Sequence, residues 1–158
     1  MNLNFWLPLF IPSTSLAVSV VIFFLPEQMR LTRSLLNMGS AVIKIVLVFI
    51  LIWGVFHQQE FRFALPLFLE FDLVLEADSL SLLFVTLSLV LWLVTTLYAI
   101  GYLEDGFERS RFFGFFSLCV SATTGIAMAG NLFTLLVFYE FLTITTYPLV
   151  THRGTEEA

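Results

Sequence analysis

Apolar residues run in five long blocks along this chain, each able to cross a hydrocarbon core of ~30 Å as a helix rising 1.5 Å per residue. The blocks predict helices over Phe5 to Leu25, Leu35 to Phe56, Ser79 to Leu103, Phe112 to Met128 and Leu132 to Val150. No Lys or Arg precedes the first block, Pro8 and Pro12 interrupt it, and no small-residue cleavage site follows it. It therefore reads as a retained helix and not as a signal peptide. Only Ala129-Gly130-Asn131 separates the last two blocks, which predicts a tight helical hairpin whose Gly or Asn takes the left-handed conformation. Between His57 and Asp78 the period changes to two. Glu70, Asp72, Glu76 and Asp78 alternate with Leu69, Phe71, Leu73, Leu75 and Ala77, which predicts a short strand or hairpin with a hydrated acidic edge. Asp78, directly before Ser-Leu-Ser-Leu-Leu-Phe, is the expected N-cap of the third helix.

Composition turns this pattern into a class. With 59% hydrophobic and 12% charged residues and a mean hydropathy of +0.96, the chain reads as an all-α integral membrane protein forming a single membrane domain, 1–158. The net charge of -5 comes from acidic residues lying almost wholly in predicted loops and ends, so no nucleic-acid partner is expected. The single cysteine, Cys119, lies in an apolar run, can form no internal disulfide, and reads as a small packing residue. His57 and His152 have no companions at ligand spacing, and there is neither a Cys cluster nor a glycine-rich nucleotide loop. No metal and no cofactor is expected. Entry from the outside would leave Arg30, Arg33, Arg109, Arg111 and Arg153 on the inner side and only Arg62 on the outer. By the bias of basic residues toward cytoplasmic loops, the N-terminus is placed outside and the C-terminus in the cytoplasm.

Two ionisable residues interrupt the apolar blocks. Glu140 stands near the middle of Asn131 to Val150, where an ionisable group costs roughly 2.5–3.5 kcal/mol on insertion scales, so it is the leading functional candidate. Thr143 and Tyr147 follow it at i+3 and i+7, which places their hydroxyls on the same helical face. Ser117, Ser121 and Thr124 form a similar stripe on the fourth helix, suited to holding water or to close packing. Lys44, about ten residues from the cytoplasmic end of the second helix, reads either as a snorkelling or structurally paired lysine or as an accessory relay or partner for the intramembrane carboxylate.

At this point the residues carry a resemblance. Ala77-Asp-Ser-Leu-Ser-Leu-Leu-Phe84, Tyr98-Ala-Ile-Gly-Tyr-Leu103, Arg111-Phe-Phe-Gly-Phe-Phe-Ser117, Gly130-Asn-Leu-Phe133 and above all the segment Phe138 to Thr155 resemble the N-terminal part of the antiporter-like membrane subunits. These are the D-type subunits of Mrp cation/proton antiporters and the related subunits of respiratory complex I and membrane-bound hydrogenases. The resemblance is clearest over 77–158 and weaker over 1–76. It implies that Glu140 matches a fifth-helix glutamate that pairs, in the family, with a lysine on a later helix to pass protons. Lys44 does not match that lysine. The family has roughly fourteen helices in inverted repeats, so the resemblance implies that this chain stands for the first five. A split product, a truncated paralogue or a fragment of a longer subunit is expected. Other membrane subunits, one of them supplying the later helices, would then be its partners, with protons and Na+ as cargo. A subunit of a redox-driven proton pump, and a structural or assembly subunit without transport, are the alternatives.

Overall fold

The computed structural model describes residues 3–26, 28–68, 71–102 and 109–150. The order of elements is α1 (Leu3–Phe23), α2 (Arg30–Phe56), β1 (Phe61–Phe68), β2 (Phe71–Ala77), α3 (Ser79–Tyr102), α4 (Arg109–Ala127) and α5 (Leu132–Val150). The expectations for Glu70, His152 and Arg153 lie outside the described residues. Among the described residues four helices, α1, α2, α3 and α5, are long and apolar enough to cross a membrane. The fourth does not meet that measure, because Ser110, Arg111, Ser117, Ser121, Thr123 and Thr124 dilute its hydrophobicity. Sandwiched between α1 and α5, α4 is surrounded by protein on much of its circumference.

The helices carry their polar residues inward. On α2 the buried positions are Arg33, Asn37, Ser40, Ala41, Lys44, Val48, Leu51 and Gly54, a single stripe at helical spacing, while Val42, Ile43, Val46, Phe49 and Trp53 are exposed. Ser15 and Ser19 on α1 and Trp92 and Thr96 on α3 point inward in the same way, with Leu16, Val20, Val90, Leu91 and Val94 outside. This arrangement suits lipid and not water, since lipid solvates the aliphatic face and leaves polar groups to find partners within the bundle. The same stripe explains why α2 begins at Arg30, five residues before the apolar block suggests: Arg33 continues the buried face. Pro8 and Pro12 lie within α1 without ending it. The backbone carbonyl of Pro12 accepts a hydrogen bond from Ser121 Oγ at 2.8 Å, one way neighbouring helices make such positions tolerable.

At one end, the antiparallel hairpin gathers the helix termini. Its register pairs Phe61 with Ala77, Phe63 with Leu75 and Pro66 with Asp72, and shifts between Pro66 and Phe68. Proline has no N–H to give, which suits an edge strand and a bulge. The period of two holds for Asp72 and Glu76, which are exposed, and for Leu75 and Ala77, which are buried; Phe71 at the start of the strand is exposed against the pattern, and Val74 departs from it and is buried. The reason is the α4–α5 turn, which lies along the free edge of β2. Gly130 N–H donates to Val74 O at 2.8 Å, Glu76 N–H donates to Met128 O at 2.7 Å, and Val74 N–H donates to Thr134 Oγ1 at 2.8 Å.

That contact also corrects the expected turn geometry. Neither Gly130 nor Asn131 has a positive φ; among the described residues only Gln58 does. The turn is fixed instead by bridging Ala129 to Leu75, and Asn131 caps α5 by accepting from Thr134 N–H at 2.7 Å. Gly130 is needed for space, since a Cβ there would meet the Val74 side chain. On the other flank Phe63 packs against the rings of Phe5 and Trp6 from the start of α1. The start of α3 is capped as expected: Asp78 accepts from Ser81 N–H and Ser81 Oγ. These bonds hold its carboxyl below the usual range, led by the one from the Ser81 side chain.

Candidate functional site

Two groups of polar side chains stand out, and they lie on different sides of α4. Glu140, Thr143 and Tyr147 share one face of α5, as their spacing requires, and all three are exposed. Only Thr134 and Thr145 of α5 are buried, and among the described residues the helix packs chiefly on α4 and β2. Thr143 Oγ1 donates back to Tyr139 O at 3.0 Å, which leaves its lone pairs directed outward beside the carboxylate. Glu140 makes no hydrogen bond or ion pair with any described residue. A carboxyl at mid-span on the outer face of a helix is costly against acyl chains, so this face needs protein or water against it. Close approach of α4 and α5 places it: the Phe138 ring sits directly over Gly125, where any Cβ would collide with it.

The second group surrounds Lys44, which is fully buried. Its Nζ donates to Ser15 Oγ of α1 at 2.6 Å and to Thr124 Oγ1 of α4 at 3.4 Å, and lies 5.2 Å from the centre of the Trp92 ring of α3. Thr124 Oγ1 itself donates within α4 to Val120 O or Ser121 O. Two turns toward the start of α2, Ser117 Oγ donates to Asn37 Oδ1 at 3.1 Å, and Ser40 Oγ donates to Asn37 O at 2.8 Å. The fourth-helix stripe of Ser117, Ser121 and Thr124 is thus brought together with Lys44, not with Glu140. No carboxylate among the described residues forms an ion pair with Lys44. Sequence reasoning singles out Lys44 and the α4 stripe but passes over Ser15, Asn37, Ser40, Trp92 and Thr96. The signal is present on α2, where Arg33, Asn37, Ser40 and Lys44 recur at i, i+4, i+7 and i+11, a polar stripe inside an apolar block.

No family model matches the chain. Among characterised proteins it is similar to the D-type subunit of the Na(+)/H(+) antiporter of Bacillus subtilis (strain 168), with 27% identity over 151 residues, 95% of this chain and 30% of that protein. It is also similar to the L-type subunit of the NADH-quinone oxidoreductase of Mycobacterium tuberculosis (strain ATCC 25618 / H37Rv), with 31% identity over 94 residues, 60% of this chain and 15% of that one. A third relative is the A1-type subunit of the Na(+)/H(+) antiporter of Staphylococcus haemolyticus (strain JCSC1435), 31% identical over 90 residues, 57% of this chain and 11% of the relative. The chain spans less than a third of the length of each of these three. Near-complete coverage by the first comparison, an interior lined with polar groups and an exterior lined with aliphatic ones agree with one another. The curated homologues of this chain are thus D-type and A-type subunits of Na(+)/H(+) antiporters and the L-type subunit of NADH-quinone oxidoreductase, which agrees with the resemblance to the antiporter-like membrane subunits.

Proposed function

We propose that this chain is a membrane subunit of a monovalent cation/proton antiporter assembly in a bacterial inner membrane, and that Glu140 is its proton-carrying carboxylate. The observation that carries the reading is the position of Glu140: mid-span, on the open face of α5, with the Thr143 and Tyr147 hydroxyls beside it and no partner among the described residues of the bundle. An isolated carboxyl of that kind is unfavourable in lipid, so a further membrane chain or segment covers it and supplies the cation that makes its ionised form accessible. The carboxyl then alternates between a protonated form, facing a neutral environment, and an ionised form paired with that cation. Five spans with the N-terminus outside belong to the same proposal. The bundle supports this polarity, because Arg33 and Arg111 lie at the end opposite the hairpin that carries Arg62.

The similarity to the L-type oxidoreductase subunit favours a second reading, in which the same relay serves a redox-driven proton pump whose electron chemistry belongs to other chains. Co-purification decides between the two, because the partners differ. The functional test is Na+-driven collapse of a pH gradient in inverted vesicles from cells that carry or lack this chain together with its partner subunits. Gradient collapse that is indifferent to the chain would refute the antiporter reading.

A further inference from the structure

The groups around Lys44 are arranged with a direction. Because α1 and α3 run antiparallel to α2, while α4 runs parallel to it, Ser15, Trp92 and Thr124 sit level with Lys44, whereas Asn37, Ser40, Thr96, Ser117 and Ser19 all fall on one side of it. That side leads toward Arg33 and Ser110 at the end of the bundle away from the hairpin. The column from Lys44 to Asn37 is about 10 Å long at 1.5 Å per residue. On the other side of Lys44 the interior is filled by Leu7, Ile11, Val48, Leu51, Val85 and Met128, and the buried hydroxyls beyond them, Ser81 and Thr134, are hydrogen-bonded at the hairpin.

Three polar atoms along this column have no hydrogen-bond partner among the described residues although they are inaccessible to bulk solvent: Trp92 Nε1, Asn37 Nδ2 and Thr96 Oγ1. A buried polar atom left unsatisfied costs about 1–3 kcal/mol, and such groups ordinarily hold ordered water. Lys44 adds to the demand. From α1, α3 and α4 it faces Ser15, Trp92 and Thr124, none of which offers a negative charge. A fully buried ammonium whose polar partners among the described residues are hydroxyls and one aromatic face is strongly disfavoured unless water reaches it or it gives up a proton.

We propose that α1–α4 enclose a one-sided, water-bearing proton well, open toward the arginine-bearing end and closed beyond Lys44, in which the Lys44 amine takes up and releases a proton. On release, one N–H bond of the ammonium breaks, its electron pair stays on Nζ, and the proton passes to a water lying between Lys44 and Asn37; uptake reverses the step. The apolar plug of Val48, Leu51 and Val85 keeps the well from becoming a leak. The well is separate from Glu140 and stands or falls independently of the antiporter reading.

Lys44 is the only lysine in the 158 residues, which makes the test direct. The whole chain is prepared with lysine labelled at 13Cε and 15Nζ, in nanodiscs of phosphatidylcholine and phosphatidylglycerol, and its single lysine signal is followed by NMR from about pH 6 to about pH 11, a range that includes the ordinary lysine value of ~10.4. The well predicts a signal that titrates in one protonation step and cross-relaxes with water. It also predicts severalfold slower solvent exchange in Asn37→Leu/Ser117→Ala, which narrows the open side, and no slowing in Val48→Leu, which alters the closed side. In proteoliposomes, a pH jump on the side of Arg111 should shift the signal promptly, and one on the side of Arg62 only slowly. A wild-type signal that ignores pH throughout this range and shows no contact with water would make Lys44 a sealed structural lysine. A response to the Arg62 side first would reverse the well. Either result overturns the proposal.

Discussion

A tight helix–helix contact, Gly125 of α4 beneath Phe138 of α5, can be perturbed by a single methyl group. In Gly125→Ala the new Cβ would overlap the Phe138 ring, and the ring has little room to yield because it packs on the main apolar core. Overpacking of this kind typically costs about 1–3 kcal/mol through shifted backbone and off-rotamer side chains. Here the strain falls on a helix that is otherwise scarcely held, so it should loosen α5 rather than the whole bundle. Cys119 is the natural probe, being the only cysteine of the chain, half-buried, with its Sγ 3.6 Å from Thr145 Oγ1 across the same interface. If separation of α4 and α5 gates alkylation of Cys119, the expected destabilisation accelerates labelling by about 5- to 150-fold. Phe138→Leu should restore part of the protection when combined with Gly125→Ala, as coupling between touching residues requires. Unchanged labelling in Gly125→Ala, or additive effects in the double variant, would refute this account of the interface.

Three further outcomes are expected. Asp78→Ala removes the α3 cap and should lower stability by about 1 kcal/mol. Because the folded Asp78 carboxyl is held below its usual value, its contribution is fully present above the unfolded value of ~3.9 and is lost as pH falls through the lower folded value; unfolding measured against pH should lose that acid step in Asp78→Ala. Gln58→Gly should stabilise the chain by about 0.5–1 kcal/mol in thermal unfolding, since Gln58 has φ 58 in a helix end closed by Gln59 N–H to Gly54 O and Gln58 N–H to Val55 O, where glycine is favoured. In a Cys119→Ser background, cysteines at Arg62 and Arg111 should react with an impermeant thiol reagent from opposite sides of the membrane; reaction of both from one side would overturn the proposed topology.

The helices and the hairpin were legible because each has one dominant period. Long apolar runs give helices, and the alternation of Asp72, Leu73, Leu75 and Glu76 gives a strand with one face down. Val74 and the turn at Gly130 were not, because their conformation is set by each other across 56 residues of chain: a turn that borrows the free edge of a strand has no local signature. The polar column around Lys44 was half legible. Spacing within α2 and within α4 marks which residues share a face, but which helix that face meets depends on packing order. Only the fold tells that the α4 hydroxyls face Lys44 while Glu140 looks away from both. Placing Glu140 outside the bundle is a tertiary result as well, since an intramembrane carboxylate is ordinarily expected to face a protein interior. Here that interior would be completed by other parts of the assembly.

The most direct test of the proposed relay is Na+/H+ antiport in inverted vesicles carrying Glu140→Gln, with rates normalised to the amount of assembled complex. Glutamine keeps nearly the same volume and hydrogen-bonding capacity but cannot titrate, so assembly should be retained while antiport falls by about 10²-fold or more, the scale typical of losing a proton-transfer group. Glu140→Asp, which keeps the acid with a shorter reach, should retain partial activity. Wild-type rates in an assembled Glu140→Gln complex would contradict the claim that Glu140 carries the proton.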